Sequence, residues 1–504
     1  MKKFAIYLSS VMLATAGLQS CQDLLVEEPT IFVAPETFYE DESDAQIALN
    51  GAYGTLQDDW IFDFVGFPTH WGNKGVDEIN APNWAGGGRK ELHLYQLTPT
   101  MPIFENLWRA HFRAVNTCNG VIDRVAAMSE EQIVAESQER IIAEARFLRG
   151  LIYFNLVKMF GNVPLVTSEV VSLDNLEIPQ TSEAEVYDQI IEDLQFAATV
   201  LEEGQGGGRA TKGAAQALLG KVYLQMTGWP LMQTEKFAMA AAQFEEVINS
   251  GVYSLQANYT DVFDYNNDQN SEIVFAVGFE GPGLNEGSSL GTYMGPNGRL
   301  EYGGGYGTEY INNEFALSYE EGDTRRAQNV ADINVNNPEN VIGQANWRPW
   351  KWKKPNPNNF LYDAPFDMPI IRFADVLLCY AEALNGVNGA PTAAAFDAVN
   401  EVRARARGEA SADTVLIPLA GLNHDEFVDA LVYERRWELC FEGHRKDDLI
   451  RMGKLEEVLA RHDEPQWSNA GNPYTDYRPY KRKFPVPTRE MDLNSNLVQT
   501  EGYD

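Results

Sequence analysis

A serine motif in the middle of the chain is the feature most suggestive of catalysis. Residues 287–291 read Gly-Ser-Ser-Leu-Gly and satisfy the Gly-x-Ser-x-Gly pattern of hydrolase nucleophiles. That pattern exposes a reactive serine only where a strand leads into it and a helix follows. Here Pro282, Gly283, Gly295 and Pro296 surround the motif, and these residues favour turns. The sequence therefore predicts a loop at this position and no catalytic residue.

A run of alternating oxygen-bearing side chains suggests a calcium loop. From Asp264 to Glu272 every second residue is Asp, Asn or Glu, as in an EF-hand. The EF-hand also needs Gly at its sixth position and Glu at its twelfth, where this chain has Gln269 and Phe275. We therefore predict a turn leading into a strand at 272–279, and no metal site, although the sequence leaves calcium binding open.

A dense set of charges near the C-terminus could belong to a glycoside hydrolase. Its members stand one to four residues apart and are Glu434, Arg435, Glu438, Glu442, Arg445 and Asp448. Hydrolysis of a glycosidic bond needs two carboxylates about 5–10 Å apart across a cleft. Among 73 acidic residues the sequence selects no such pair. Opposite charges at this spacing usually pair with each other, so we predict an internal ion-pair network.

The N-terminus predicts export and lipid attachment. Lys2 and Lys3 precede an apolar stretch at 4–18, which is too short to span a membrane and fits a secretory signal. Residues 18–21 read Leu-Gln-Ser-Cys and resemble a bacterial lipobox. We predict a signal peptide at 1–20, a lipid on Cys21 and a tether at 21–30. The alternative is an ordinary signal peptide with an unrelated cysteine.

The other cysteines give no sign of a metal or redox site. Cys118, Cys379 and Cys440 each lie in an apolar, helix-like segment. The chain has no Cys-x-x-Cys or His-Glu-x-x-His motif, which argues against zinc. Three cysteines allow at most one disulfide, and the sequence leaves open whether any two of them pair. We expect buried free thiols and no cofactor.

The charge balance excludes two classes of partner. The chain has 504 residues, with 73 Asp and Glu against 39 Lys and Arg, and a formal net charge of −34. Nucleic-acid binding and polybasic membrane binding both need clustered cations. Residues 347–354 do interleave Trp with Lys and Arg, as single-strand-binding sites do. In so acidic a chain we predict no nucleic acid partner.

The elements that must position any site are helices that come in pairs. Apolar residues recur at helical spacing over 139–160, and Ser182 with Glu185 forms a capping box that opens a helix to about 202. Two more helices follow the loop at 204–208, the design returns at 369–407, and a last pair covers about 425–443 and 447–461. The pairs resemble degenerate tetratricopeptide repeats. We predict a mostly α fold, an α-solenoid-like scaffold of stacked helix pairs with a few short strands.

Two long segments, 60–100 and 277–365, interrupt this helical scaffold. They contain six of the ten tryptophans, namely Trp60, Trp71, Trp84, Trp347, Trp350 and Trp352. Disordered segments are poor in aromatic residues, and long loops in compact domains usually have a function. We therefore expect both segments to fold and to carry a site.

Several blocks, in order, resemble the SusD/RagB family of nutrient-uptake lipoproteins of Bacteroidetes. They include AEARFLRGLIYFNLVKMFGNVPLV (143–166), RATKGAAQALLGKVYLQM (209–226), MPIIRFADVLLCYAEALN (368–385) and ERRWELCFEGHRKDDLIRMGK (434–454). The last block, KFPVPTREMDLNSNLVQTEGY (483–503), resembles the family's C-terminal tail, with Ser495 in place of Pro and Thr500 in place of Asn.

The resemblance implies a non-catalytic, lipid-anchored protein on the outer face of the outer membrane. It would bind oligosaccharides and deliver them to a SusC-like TonB-dependent transporter. It also implies one SusD-like domain over 31–504, with an N-terminal part at about 31–260 and a C-terminal part at about 270–504. Three alternatives stay open: a peptide-binding member, a surface glycoside hydrolase, and a scaffold without a ligand.

The family resemblance also implies ligand-binding aromatics in the two long loops. Sugar rings present apolar C–H faces that stack on Trp and Tyr. We expect stacking residues at Trp84, Trp347 and Tyr306, and then at Trp71 and Trp350. The expected hydroxyl partners are Asp77, Asn83 and Arg89, whereas Trp352 is expected to be structural.

Overall fold

The structure is a computed structural model. It describes residues 38–63, 65–80, 86–172, 176–281, 283–284, 286–296, 298, 305–334, 337–352, 362–461 and 474–504. The predicted signal peptide, the tether and Cys21 lie outside the described residues.

Long helices dominate the N-terminal half, and shorter ones the C-terminal half. In chain order the helices are α1 (Glu42–Gly54), α2 (Arg89–His93), α3 (Pro102–Ala126), α4 (Ala135–Phe160), α5 (Glu183–Val200), α6 (Lys212–Thr227), α7 (Lys236–Asn249), α8 (Leu290–Tyr293), α9 (Asn313–Ser318), α10 (Arg325–Asn329), α11 (Phe373–Asn388), α12 (Ala393–Arg407), α13 (His424–Leu439), α14 (Arg445–Arg451), α15 (Leu455–Arg461) and α16 (Thr488–Leu493). A π-helix (Phe67–Gly72) lies in the first long loop.

The helices stack in sequence, as an α-solenoid does. From α3 to α7 each helix packs against the next, and α7 then packs against α11 of the second half. Helix α11 in turn contacts α12 and α13. The predicted mostly α scaffold is confirmed. No helix in the described part of the chain is long and apolar enough to cross a membrane.

Local sequence signals explain several helix boundaries. The capping box predicted at the start of α5 forms, because the Ser182 hydroxyl and the Glu185 carboxylate bond each other's backbone N–H groups. Helix α4 ends at Gly161, which has a φ of 75°. The predicted last helix, 447–461, is wrong in one respect: Gly453, at φ 67°, separates α14 from α15.

The strands are short and pair two at a time within the described ranges. They are β1 (Ile79–Asn80), β2 (Val163–Pro164), β3 (Gln180–Thr181), β4 (Ile273–Val277), β5 (Tyr310–Ile311), β6 (Val330–Ala331), β7 (Ile333–Asn334), β8 (Asn337–Val341), β9 (Arg348–Pro349) and β10 (Met368–Arg372). Strand β4 confirms the strand predicted at 272–279. It pairs antiparallel with β10, so the helix predicted from 369 begins only at Phe373.

The predicted C-terminal ion-pair network exists, and it extends into the β4–β10 sheet. Arg372 on β10 donates to Glu272, Glu438 and Glu442, and Arg405 on α12 donates to Glu272 and Glu438. All five side chains are buried. Burial alone would raise the pKa of Glu438, but Arg405, Arg372 and Arg325 together lower it to about 2. The network joins four elements from distant parts of the chain.

Cys118, Cys379 and Cys440 are free and buried, as predicted. Burial raises the pKa of each thiol to about 12. The described residues contain no cluster of three or more His, Cys, Asp or Glu side chains arranged to hold a metal ion.

Glu78, which precedes β1, is a buried acid that should make stability depend on pH. Burial is the main cause that raises the pKa of Glu78 to about 7, and Asp77 raises it further, although Arg445, Arg436 and the Phe441 N–H oppose it. The native state therefore binds this proton more tightly than the unfolded chain, whose Glu titrates near 4.5. The contribution of Glu78 to stability is therefore expected to be most favourable below pH 4.5 and to become less favourable as the pH rises to 7.

We accordingly expect Glu78→Gln to be more stable than the wild type at pH 8 by about 1–3 kcal/mol, and close to it at pH 5. The Gln amide oxygen can still accept the Phe441 N–H, which Glu78 accepts at 3.1 Å. Urea unfolding at both pH values measures the difference. An exposed acid, Glu136, mutated to Gln, is the control and should show no such difference.

Candidate functional site

Three tyrosines from the second long loop form a cluster at the surface. The ring centroids of Tyr293, Tyr306 and Tyr362 lie 5.5–6.2 Å apart in all three pairs. The Tyr362 hydroxyl donates to the Tyr306 hydroxyl at 3.2 Å, and this bond raises the pKa of Tyr306. Tyr306 and Tyr362 are each 45% exposed, whereas most large aromatics are buried. We call these three residues the tyrosine cluster.

Thr292, in the short helix α8, holds the cluster together. The Tyr306 N–H donates to the Thr292 carbonyl at 2.7 Å, and the Tyr362 N–H donates to the Thr292 hydroxyl at 3.3 Å. Tyr293 is the next residue of the same helix. Tyr362 has a φ of 58°, a left-handed conformation that costs a non-glycine residue about 1–3 kcal/mol. Such a cost persists only where surrounding contacts impose the conformation.

The serine motif positions α8. The Asp63 carboxylate accepts bonds from the Ser288 hydroxyl at 2.8 Å, the Ser289 hydroxyl at 2.7 Å and the Ser289 N–H at 3.0 Å. The loop predicted over 287–291 is wrong for its last two residues, because α8 begins at Leu290. Both serines donate to a carboxylate, and this arrangement anchors the loop that carries Tyr293.

Arg89, at the start of α2, adds a cation to the cluster. Its guanidinium carbon lies 6.0 Å from the centroid of the Tyr293 ring. Two residues chosen from the sequence, Arg89 and Tyr306, are thus brought together around Tyr293. The choice of these two as ligand residues stays a prediction.

The prediction that Trp71 and Trp347 stack on a ligand is wrong, because both rings are buried. Trp71 is 1% exposed, and its indole N–H donates to Asp447 at 2.8 Å while the ring meets Phe484 edge-on. Trp347 is 6% exposed, with the Arg326 guanidinium 5.3 Å from its ring centroid. Neither ring can stack on a sugar in this conformation.

The other residues singled out from the sequence do not belong to the tyrosine cluster. Asp77 is buried and pairs with Arg445 and Arg436, so it is not a free hydroxyl partner as expected. Trp350 is half-buried, and its role stays a prediction. Trp352 is buried and donates to the Phe441 carbonyl at 3.3 Å, which confirms a structural role. Asn83 and Trp84 lie outside the described residues.

Tyr293 and Tyr362 are the aromatics that sequence reasoning missed. Both lie in the segment 277–365 that was expected to carry a site. They were not predicted, because the prediction relied mainly on tryptophan. A weak signal was available, since Tyr293 and Tyr306 flank a Gly- and Pro-rich stretch. Nothing in the sequence shows that Thr292 bonds both partners.

Comparison with known proteins agrees with this architecture at both ends of the chain. The model of the SusD family matches residues 362–503. A second model, described as "Starch-binding associating with outer membrane", matches residues 86–224. The chain belongs to the SusD/RagB family. The two matches cover the stacked helices α3–α6 and the C-terminal helices that hold the ion-pair network.

Individual SusD-like relatives match three quarters of the chain or more. SusD-like protein P25 of Formosa agariphila is 29% identical over 96% of both chains. The starch-binding protein SusD of Bacteroides thetaiotaomicron is 25% identical over 76% of both chains. The crystal structure of a SusD homolog from Bacteroides thetaiotaomicron superposes with a TM-score of 0.82 at 26% identity, covering 92% of this chain and 98% of that one.

Proposed function

We propose that this protein binds oligosaccharides at the tyrosine cluster. The observation that carries the proposal is the grouping of three tyrosines, two of them 45% exposed, on a loop anchored through Thr292. The C–H faces of sugars stack on such rings, and rings already held in place lose little entropy on binding. The hydroxyls of Tyr306 and Tyr362 and the Arg89 guanidinium supply polar partners for sugar oxygens.

Relatives support a saccharide as the ligand. One matching relative is named a starch-binding protein, and one matching family model is described as starch-binding. These names do not identify the glycan that this protein binds. Relatives that share a scaffold can differ in their binding sites and therefore in their ligands. A peptide ligand is the alternative outcome of the screen described below.

We further propose the cellular setting implied by the family. The protein would be anchored to the outer membrane through a lipid on Cys21, would face the cell exterior, and would pass glycans to a SusC-like TonB-dependent transporter without cleaving them. The lipobox-like sequence at 18–21 supports the anchor, and the description of the second family model supports outer-membrane association. Residues 31–504 would form one SusD-like domain behind the tether.

A binding and turnover screen tests this function. Purified residues 22–504 are titrated calorimetrically with maltoheptaose, laminarihexaose, xylohexaose, an oligogalacturonide and a peptide pool, and each mixture is then analysed for cleavage products. We expect binding of one saccharide class with Kd of about 10 μM to 1 mM, or about −7 to −4 kcal/mol, and no products. Binding of peptides alone would favour the peptide alternative, and released sugars would establish a hydrolase.

A further inference from the structure

Asp363, the residue that follows Tyr362, carries a buried carboxylate beside the tyrosine cluster. Its side chain belongs to a residue that is 8% exposed. The Oδ2 atom accepts the Gly283 N–H at 2.5 Å, and the Oδ1 atom accepts the Gly287 N–H at 3.1 Å. We call these two hydrogen bonds the Asp363 clamp. Both carboxylate oxygens are therefore bonded to the loop that precedes α8.

Two backbone hydrogen bonds lie next to the Asp363 clamp. The Ser288 N–H donates to the Ala364 carbonyl at 2.8 Å, and the Ala364 N–H donates to the Ser288 carbonyl at 3.1 Å. Helix α8, which contains Thr292 and Tyr293, begins two residues after Ser288. Four hydrogen bonds thus join the segment that carries Tyr362 to the segment that carries Tyr293.

Gly287 allows the two segments to approach each other this closely. A Cβ atom at Gly287 would lie 2.4 Å from the Cα atom of Asp363. Carbon atoms that are not bonded to each other pack at about 3.5–4.0 Å. Any larger residue at this position must therefore push the two segments apart, so Gly287→Ala opens the Asp363 clamp and leaves the carboxylate in place.

Tyr362 needs such contacts to keep its conformation. It has a φ of 58° and is 45% exposed, so burial of its own ring contributes little to holding it. Hydrogen bonds to a carboxylate are about twice as strong as bonds between neutral groups. A left-handed conformation at a non-glycine residue persists only where its surroundings impose it. The Asp363 clamp, together with the Thr292 hydroxyl, imposes it here.

We propose that Asp363 is a positioning residue of the saccharide site, and that it holds the Tyr362 ring against Tyr306 and Tyr293 before a ligand binds. The proposal rests on the proposed function, because it presumes that the tyrosine cluster binds saccharides. Asp363 is buried and both of its oxygens are bonded, so it acts through Tyr362. A protein that populates its binding conformation only in part loses affinity by that fraction.

Replacement of Asp363 should weaken saccharide binding although no ring is removed. Asp363→Ala should raise the Kd of the best saccharide of the screen about tenfold, as expected if Tyr362 then keeps its binding conformation about a tenth of the time. Asp363→Asn keeps one acceptor oxygen and should raise the Kd only about threefold. Gly287→Ala should reproduce the loss seen in Asp363→Ala. Calorimetry measures each Kd.

A double-mutant cycle shows whether Asp363 acts through Tyr362. If it does, Asp363→Ala should change the Kd by less than about twofold in the Tyr362→Ala background, because the ring that Asp363 positions is gone. A tenfold loss in both backgrounds would contradict the proposal, since Asp363 would then stabilise the loop independently of Tyr362.

The ionisation of Tyr306 reports on the Asp363 clamp without any ligand. The hydrogen bond with the Tyr362 hydroxyl raises the pKa of Tyr306. Opening the clamp in Asp363→Ala or Gly287→Ala should let this pKa fall towards its ordinary value of 10. NMR of ¹³C-labelled tyrosine measures the pKa, and Tyr306→Phe identifies the signal. A lower melting temperature with an unchanged Tyr306 pKa would overturn the positioning role.

Asp367 provides the matched control. Its carboxylate also accepts a backbone N–H, from Phe279 at 2.9 Å, and the side-chain amide of Gln269 at 3.1 Å. Asp367→Ala should leave the Tyr306 pKa and the saccharide Kd unchanged. Equal effects of Asp367→Ala and Asp363→Ala would overturn the proposal.

The two readouts separate this inference from the proposed function. If the wild type binds no saccharide, the proposed function fails, and the Tyr306 pKa still decides whether Asp363 fixes the Tyr306–Tyr362 pair. If saccharides bind the wild type and Asp363→Ala equally well, the inference fails and the proposed function stands.

Discussion

Replacing Glu438 by Ala is expected to destabilise the fold by about 3–5 kcal/mol. Glu438 accepts from Arg405 at 2.6 Å, from Arg372 at 3.1 Å and from Arg325 at 3.3 Å, and all four side chains are buried. Removing the carboxylate leaves three guanidinium groups in a low-dielectric interior with too few counter-charges. Urea unfolding at pH 7 measures the loss.

The acid dependence of stability provides an independent readout of the same carboxylate. The native pKa of Glu438, about 2, is below the ordinary value of 4.5, so the unfolded chain binds this proton more readily. Its contribution is present above pH 4.5 and is lost as the pH falls toward 2. The loss of stability between pH 4.5 and 3 should therefore be smaller in Glu438→Gln than in the wild type.

Glu457 offers the matched control. It lies on α15 with its side chain 50% exposed, and within the described residues it forms ion pairs with Lys454 and Arg461 at 3.4 Å. Exposed pairs contribute about 0–1 kcal/mol, so Glu457→Ala should barely move the unfolding midpoint. Equal destabilisation by Glu438→Ala and Glu457→Ala would show that burial of the network does not matter, contrary to our interpretation.

The scaffold could be predicted because its signals are local. Apolar spacing and the capping box at Ser182 specify helices from neighbouring residues alone. Strand β10 was missed in part, since Met368–Arg372 is a short apolar run, and periodicity cannot distinguish a buried strand from the start of a helix. What makes it a strand is pairing with β4, about a hundred residues earlier.

The sequence predicted the segment that carries the candidate site, but not most of the residues that form it. Loop composition pointed to the segment that holds Tyr306, but composition cannot tell an exposed ring from a covered one. Trp71 is covered because Asp447 and Phe484, from the far end of the chain, pack on it. Tyr293 and Tyr362 join Tyr306 through contacts with Thr292 and with one another. Such long-range contacts leave no trace in one sequence.

Replacing both Tyr306 and Tyr362 by Ala is expected to weaken glycan binding about a hundredfold. Each exposed ring provides apolar surface and stacking, which together contribute about 1–3 kcal/mol per ring. A single substitution should weaken binding about tenfold, or about 1.4 kcal/mol. Losing both rings therefore raises a starting Kd of about 10 μM to 1 mM to about 1–100 mM. Calorimetry with the best saccharide of the screen measures the change.

Conservative variants decide whether stacking is the cause. Tyr306→Phe and Tyr362→Phe keep the ring and lose the hydroxyl, together with the 3.2 Å bond between the two hydroxyls. If stacking dominates, each Phe variant should bind more tightly than the corresponding Ala variant, because it keeps the ring and loses only a neutral hydrogen bond, which contributes about 0.5–1.5 kcal/mol. Trp350→Ala tests a half-buried ring of the same segment in parallel. If Tyr306→Ala/Tyr362→Ala binds with unchanged affinity and has an unchanged melting temperature, the tyrosine cluster is not part of the binding site. Trp350 is then the next candidate.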